Sequence, residues 1–151
     1  MIEFYIKNWP VTLPAFMLIF WICVWSGSLC LVGRISGWHA LARCYRSKER
    51  FSGQCWRWQE VPMGSKGYMW MTAGANVTGL FLSVPRVFRF GHPSLFIPWS
   101  ETLTDTSVEN WFGYDWHYLN VWIPNVPGAY IRFEKKLAKC INGVAFLGIS
   151  F

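Results

Sequence analysis

No charged residue stands between Asn8 and Gly33, and within that run Val11–Gly33 is 23 residues long, enough for a tilted helix to cross a hydrocarbon core. The pattern then changes twice. In SGWHALARCYRSKER, at 100° per residue, Trp38, Leu41, Ala42 and Tyr45 share one helical face and His39, Arg43, Arg46 and Arg50 the opposite one, which predicts a short amphipathic helix with Ser36 as its cap. That helix either lies among lipid headgroups or covers a folded domain with its aromatic face, and the narrow stripe favours the domain.

Beyond Phe51 the period falls to two, in short aromatic and β-branched runs separated by Gly, Pro, Asn and Asp. At least six strands are predicted: Gln54–Val61, Tyr68–Thr72, Gly79–Val84, Leu95–Pro98 followed by Trp99, Tyr118–Ile123, and Ala129–Phe133. Glu134–Ile141 returns to a helical pattern, with Leu137, Cys140 and Ile141 as its apolar edge. The stretch Asp105–His117 reads as an aromatic-rich insertion. The expected fold class is α+β: one N-terminal transmembrane helix, then a small, mostly antiparallel half-open barrel closed by a C-terminal helix. The divisions fall at 1–33 (tail and anchor), 34–50 (basic juxtamembrane helix) and 51–151 (β-rich domain).

A cleaved signal peptide is the competing reading of the apolar run. Against it, Glu3 sits beside Lys7 where a basic cluster belongs, the run is long, and no Ala-x-Ala-like site closes it. Pro14 suits a first helical turn, Trp9, Trp21 and Trp25 place indoles near an interface or against neighbouring helices, and Gly27 and Ser28 either allow close helix contact or simply tolerate lipid. Residues 34–50 carry Arg34, Arg43, Arg46, Lys48 and Arg50 against Glu49, a net of +4, whereas Lys7 balances Glu3 in the tail. The expectation is an inner-membrane, single-pass protein with its N-terminus outside and its C-terminal domain cytoplasmic. Most of the chain's +6 thus lies beside the membrane, near anionic headgroups, and a nucleic-acid partner is not expected. Five cysteines, an odd number with no C-x-x-C spacing, are expected to be small buried hydrophobes in a reducing compartment rather than a disulfide framework.

The densest polar cluster is Phe88-Arg89-Phe90-Gly91-His92-Pro93 with Ile97-Pro98-Trp99-Ser100-Glu101. A functional reading makes Arg89 an anion ligand and His92 with Glu101 an acid/base pair. A structural reading makes Gly91-His92-Pro93 a tight turn, with Trp99 in the core and Glu101 opposite a basic neighbour; it is preferred, because no nucleophile, base and orienter can be assigned. His39, His92 and His117 are far apart in sequence and match no metal pattern, the glycines match no phosphate loop, and no cofactor is expected.

The runs GLFLSV and FRFGHPSLFIPWSE, with the anchor and a GW-x-x-L-A-x-x-Y/F-R segment upstream, resemble an uncharacterised family of bacterial membrane-anchored proteins with a GHPxLxIPW-type motif. Ser94 stands where that motif implies a second Pro. The strand order and final helix resemble the pleckstrin-homology-like (PH-like) barrel of bacterial proteins, a likeness of fold that carries no function with it.

Trp111, Phe112, Tyr114, Trp116, Tyr118 and Trp122 are too many rings for the interior of a domain of this size, and VAFLGISF (144–151) adds an apolar tail that is either a final edge strand or an interface segment. The first expectation of function is a non-catalytic accessory subunit of a larger membrane complex, respiratory or photosynthetic in type, meeting other membrane protein subunits through Trp111, Trp116, Trp122, Phe146 and Phe151. The alternative is a PH-like module whose Arg34, Arg43, Arg46 and Arg50, with Arg86 and Arg89, face anionic lipid headgroups.

Overall fold

The computed structural model describes residues 2–64, 67–89, 91–146 and 148; for residues 2–11, Gly67 and Trp111 it describes the backbone alone. Helix α1 (Ile2–Ile35) contains Thr12–Ile35, a 24-residue stretch of mean hydropathy 2.2, long and apolar enough to cross a membrane. It is apolar on all sides, with no one face set apart. Because α1 begins at Ile2, Pro14 sits inside the helix, where it removes one donor to the carbonyl four residues back, and not in the first turn as expected.

Gly37, at φ 78°, turns the chain into α2 (Trp38–Tyr45) and occupies its N-cap. The expected cap, Ser36, instead donates its hydroxyl back to the Gly33 carbonyl at 3.5 Å. The predicted aromatic face of α2 is turned into the domain: Trp38, Leu41 and Tyr45 are buried, while Arg43 and Arg46 are exposed. Domain packing therefore decides the placement of this helix.

Seven antiparallel strands follow: β1 (Gln54–Met63), β2 (Gly67–Ala75), β3 (Gly79–Ser83), β4 (Leu95–Pro98), β5 (Leu103–Trp111), β6 (Tyr114–Trp122) and β7 (Tyr130–Glu134). Their order is β4-β3-β2-β1-β7-β6-β5, one curled sheet. Its halves meet at a narrow seam, where Met63 pairs with Ile131 and the Gly64 N–H donates to the Tyr130 carbonyl. The inner face carries Val61, Met63, Met71, Leu80, Leu82, Leu119, Val121, Ile131 and Phe133, all buried. Helix α3 (Lys135–Ala145) lays Leu137, Ala138 and Ile141 on that face, and α2 covers it beside β4. The molecule is an α+β, PH-like half-barrel preceded by an apolar helix.

Differences from the predicted elements have local causes. A bulge between Trp56 and Gln59 puts one extra residue in β1, so the alternation changes phase; Trp58, at φ 57°, faces out and Val61 faces in. The stretch Asp105–His117 is no insertion but the tip of a hairpin, most of β5 with the turn and the start of β6, paired from Leu103↔Trp122 to Trp111↔Tyr114. Its two-residue turn holds Phe112 (φ 54°) and Gly113 (φ 81°), the left-handed pair that matches strand twist. Trp99 packs against the core from its edge, half-buried, with its indole N–H donating to the Asn76 carbonyl at 2.8 Å. Val144 and Ala145 belong to α3 and not to an edge strand; residues 147 and 149–151 of the tail lie outside the described residues. The five cysteines are free thiols, but Cys44, Cys55 and Cys140 are exposed, against the expectation of burial.

Candidate functional site: an aromatic groove and a basic cleft

Alternation along β6 decides what the outer face of the sheet presents. Leu119 and Val121 enter the core, so Tyr114, Trp116, Tyr118 and Trp122 point the other way. Register brings Glu109 of β5 opposite Trp116, Arg132 of β7 opposite Asn120, and Tyr68 of β2 opposite Pro62. The result is an open groove of about 730 Å³ across the seam, lined by Tyr68, Phe112, Tyr114, Trp116 and Tyr118, with Glu60, Glu109 and Glu134 among them.

Arg132 is the one base among the described residues of that lining. Its guanidinium donates to Glu109 Oε1 at 2.6 Å and to Asn120 Oδ1 at 3.1 Å, and lies 5.1 Å from the centroid of the Tyr118 ring. Burial, followed by the Glu109 carboxylate, holds the Tyr118 phenol above its ordinary pKa, so it stays a neutral donor. With Arg132 engaged, the groove retains an excess of negative charge among aromatic faces, a setting that attracts cationic side chains.

The predicted interface residues separate. Trp116, 43% exposed, lines the groove, while Trp122, 45% exposed, lies at the far end of β6 and packs on Tyr130 with ring centroids 5.0 Å apart. Phe146 is 81% exposed at the end of α3, on the helix covering the opposite face, so it does not join them. The Trp111 side chain and Phe151 lie outside the described residues. Tyr68 and the three glutamates of the groove escaped the sequence reading; the wet Arg132 and Glu134 alternating with Ile131 and Phe133 were the available signal.

On the other side of the molecule, the segment after β3 packs along α1. A 3-10 turn at Arg86–Phe88 places Phe88 against Trp25, ring centroids 5.9 Å apart. His39 and His92, 53 residues apart in sequence, meet with ring centroids 6.4 Å apart over Gly33. A Cβ at Gly33 would stand 2.8 Å from His39 Nδ1 and 2.9 Å from His92 Nε2, so only glycine lets both imidazoles close on the helix. Beside them opens a cleft of about 530 Å³ lined by Arg43, Arg46, Arg89, His39, His92 and Pro93, among others, with no acid among the described lining residues. Arg89 is braced by the hydroxyls of Ser83 and Ser94, at 3.0 and 3.4 Å.

Glu101 makes no ion pair among the described residues: its Oε2 accepts from the Tyr45 hydroxyl at 2.7 Å and from Asn125 Nδ2 at 3.0 Å, which ties α2 to the loop after β6. Burial first, then that hydrogen bond, raises the Tyr45 pKa. Among the described residues no three His, Cys, Asp or Glu side chains gather as metal ligands. No protein-family model, curated protein or solved structure matches the chain, so the geometry of groove and cleft carries the functional reading.

Proposed function

We propose that the protein is a non-catalytic accessory subunit of a larger membrane protein complex of the bacterial inner membrane, respiratory or photosynthetic in type. In this reading Thr12–Ile35 crosses the bilayer once, with the N-terminus outside, and the half-barrel docks on another subunit from the cytoplasmic side. The observation that carries it is the groove: exposed aromatic rings set among three carboxylates, with the one base among its described residues already paired. Aromatic side chains concentrate where interfaces gain most of their energy, and cytoplasmic loops of membrane proteins are rich in Lys and Arg, the side chains such a groove suits. The net +4 of residues 34–50 supports the orientation.

A second feature agrees. Phe112 is 96% exposed at the hairpin tip in a left-handed conformation that costs a non-glycine residue about 1–2 kcal/mol. A strained aromatic held in solvent is accounted for when it is covered in an assembly.

The test is site-specific photo-crosslinking in intact membranes, with the probe at Tyr114 in the groove or at Val77, exposed in the turn beyond the other end of β2. The expected result is a discrete heavier adduct from position 114, joined to a basic loop of another membrane subunit, absent from position 77 and lost in Trp116→Ala. Equal adducts at both positions, or none at 114, would refute the docking reading.

A further inference from the structure

The basic cleft lies away from the groove and stands independently of the docking reading. Its walls come from three places. Helix α2 supplies His39 and Arg43, the residue after it is Arg46, and the turn after β3 supplies Arg89, Gly91 and His92. Three of these residues close on the last turns of α1: a Cβ at Gly91 would lie 3.4 Å from Cys30 Sγ, and both histidines rest on Gly33. Since Thr12–Ile35 is the stretch able to span a bilayer, a cleft at Cys30–Gly33 stands at the level where hydrocarbon gives way to headgroups.

We infer that this cleft binds a phosphate group presented at the membrane surface. Three arginines line it with no carboxylate among the described lining residues, and the guanidinium groups of Arg43 and Arg46 have no hydrogen bond or ion pair among the described residues. Arginines left unneutralised around one concavity form a fork-shaped donor set that phosphate oxygens satisfy two at a time. His39 forms part of the wall, its Nδ1 buried against Gly33 without a hydrogen-bond partner among the described residues. Arg89, tethered by Ser83 and Ser94, holds its position before any ligand arrives. Val87, exposed and apolar beside Phe88, provides a surface on which an acyl chain can lie next to α1. The phosphate belongs either to a lipid headgroup or to a soluble phosphate, and the same donors serve both.

Calorimetric titration of the full chain in a maltoside detergent separates these sources, with inorganic phosphate in one arm and short-chain phosphatidic acid in the other. Both are expected to bind and to compete for one site. In Arg43→Gln/Arg46→Gln the affinity for each falls at least about tenfold, since each lost charge-assisted hydrogen bond is of that order. In Arg34→Gln/Arg50→Gln, an identical change of charge outside the cleft, it moves by less than about threefold. Phosphatidic acid binding more tightly assigns the site to headgroups; inorganic phosphate binding as tightly assigns it to a soluble ligand. Equal losses in the two double variants would mean a diffuse basic field and overturn the cleft as a site, and so would the failure of both ligands to bind. Circular dichroism with an unchanged thermal midpoint confirms that each variant remains folded.

Discussion

Trp38 offers the sharpest test of how α2 is held. Its side chain is fully buried, its Nε1–H donates to the Pro93 carbonyl at 3.0 Å, and its ring meets His92 edge-on with centroids 5.7 Å apart. Removing a ring of about 200 Å² from water is worth up to about 5 kcal/mol at 25 cal/mol per Å². Truncations of buried aromatics cost about 3–5 kcal/mol once partial collapse of the cavity is included. Trp38→Ala is therefore expected to lose about 4 kcal/mol, a large part of the 5–15 kcal/mol typical of a domain. Trp38→Phe keeps most of the area but leaves the Pro93 carbonyl unpaired, for about 1–3 kcal/mol. Urea unfolding of the full chain in a mild detergent, followed by the sheet signal in circular dichroism, measures both. A Trp38→Ala protein within about 1 kcal/mol of wild type would show that α2 does not belong to the core. A Trp38→Phe protein as damaged as Trp38→Ala would show that the hydrogen bond, and not the buried area, anchors it.

Two further outcomes follow from single residues. Phe112→Asn relieves left-handed strain at a turn where Asn-Gly is the favoured pair, so it should stabilise the domain by about 0.5–1 kcal/mol while weakening the crosslink from the groove; a fall in thermal midpoint would mean that the ring is packed inside. The Tyr45 pKa is raised by burial and by Glu101, so its stabilising contribution is complete below about pH 10 and is lost as pH rises through the raised value. Urea midpoints taken across that window should fall more steeply for wild type than for Tyr45→Phe, and parallel curves would refute the assignment.

The apolar run was legible from its unbroken length, and the amphipathic face of α2 and most strands because each follows one period that burial enforces. Trp38, Leu41 and Tyr45 face the core as their 100° spacing demands. The phase of β1 was not legible, because a bulge at Trp58 resets the alternation without any Gly to mark it. The strand β5 was hidden because LTDTSVENW is polar on both faces at an exposed sheet edge, where burial enforces no pattern, and because Phe-Gly is a poor signal for a tight turn. The groove needed register as well as period: Tyr68, Glu109 and Arg132 converge only once β2, β5 and β7 are ordered in the sheet. The cleft depended on His39 and His92 meeting over Gly33, a contact without local trace in the chain.

The narrow seam between β1 and β7 makes the domain two half-sheets joined by few ladder bonds, β4-β3-β2-β1 on one side and β7-β6-β5 on the other. In native-state hydrogen exchange, the Gly64 amide, which donates across the seam to the Tyr130 carbonyl, should open before those of the long β5–β6 ladder, because separating the halves there breaks the fewest backbone bonds. The groove straddles this line, with Glu60, Pro62 and Tyr68 on one half and Trp116, Tyr118 and Arg132 on the other. A ligand seated in it grips both halves at once and acts as a clasp, slowing exchange at the seam by a factor set by its own binding energy.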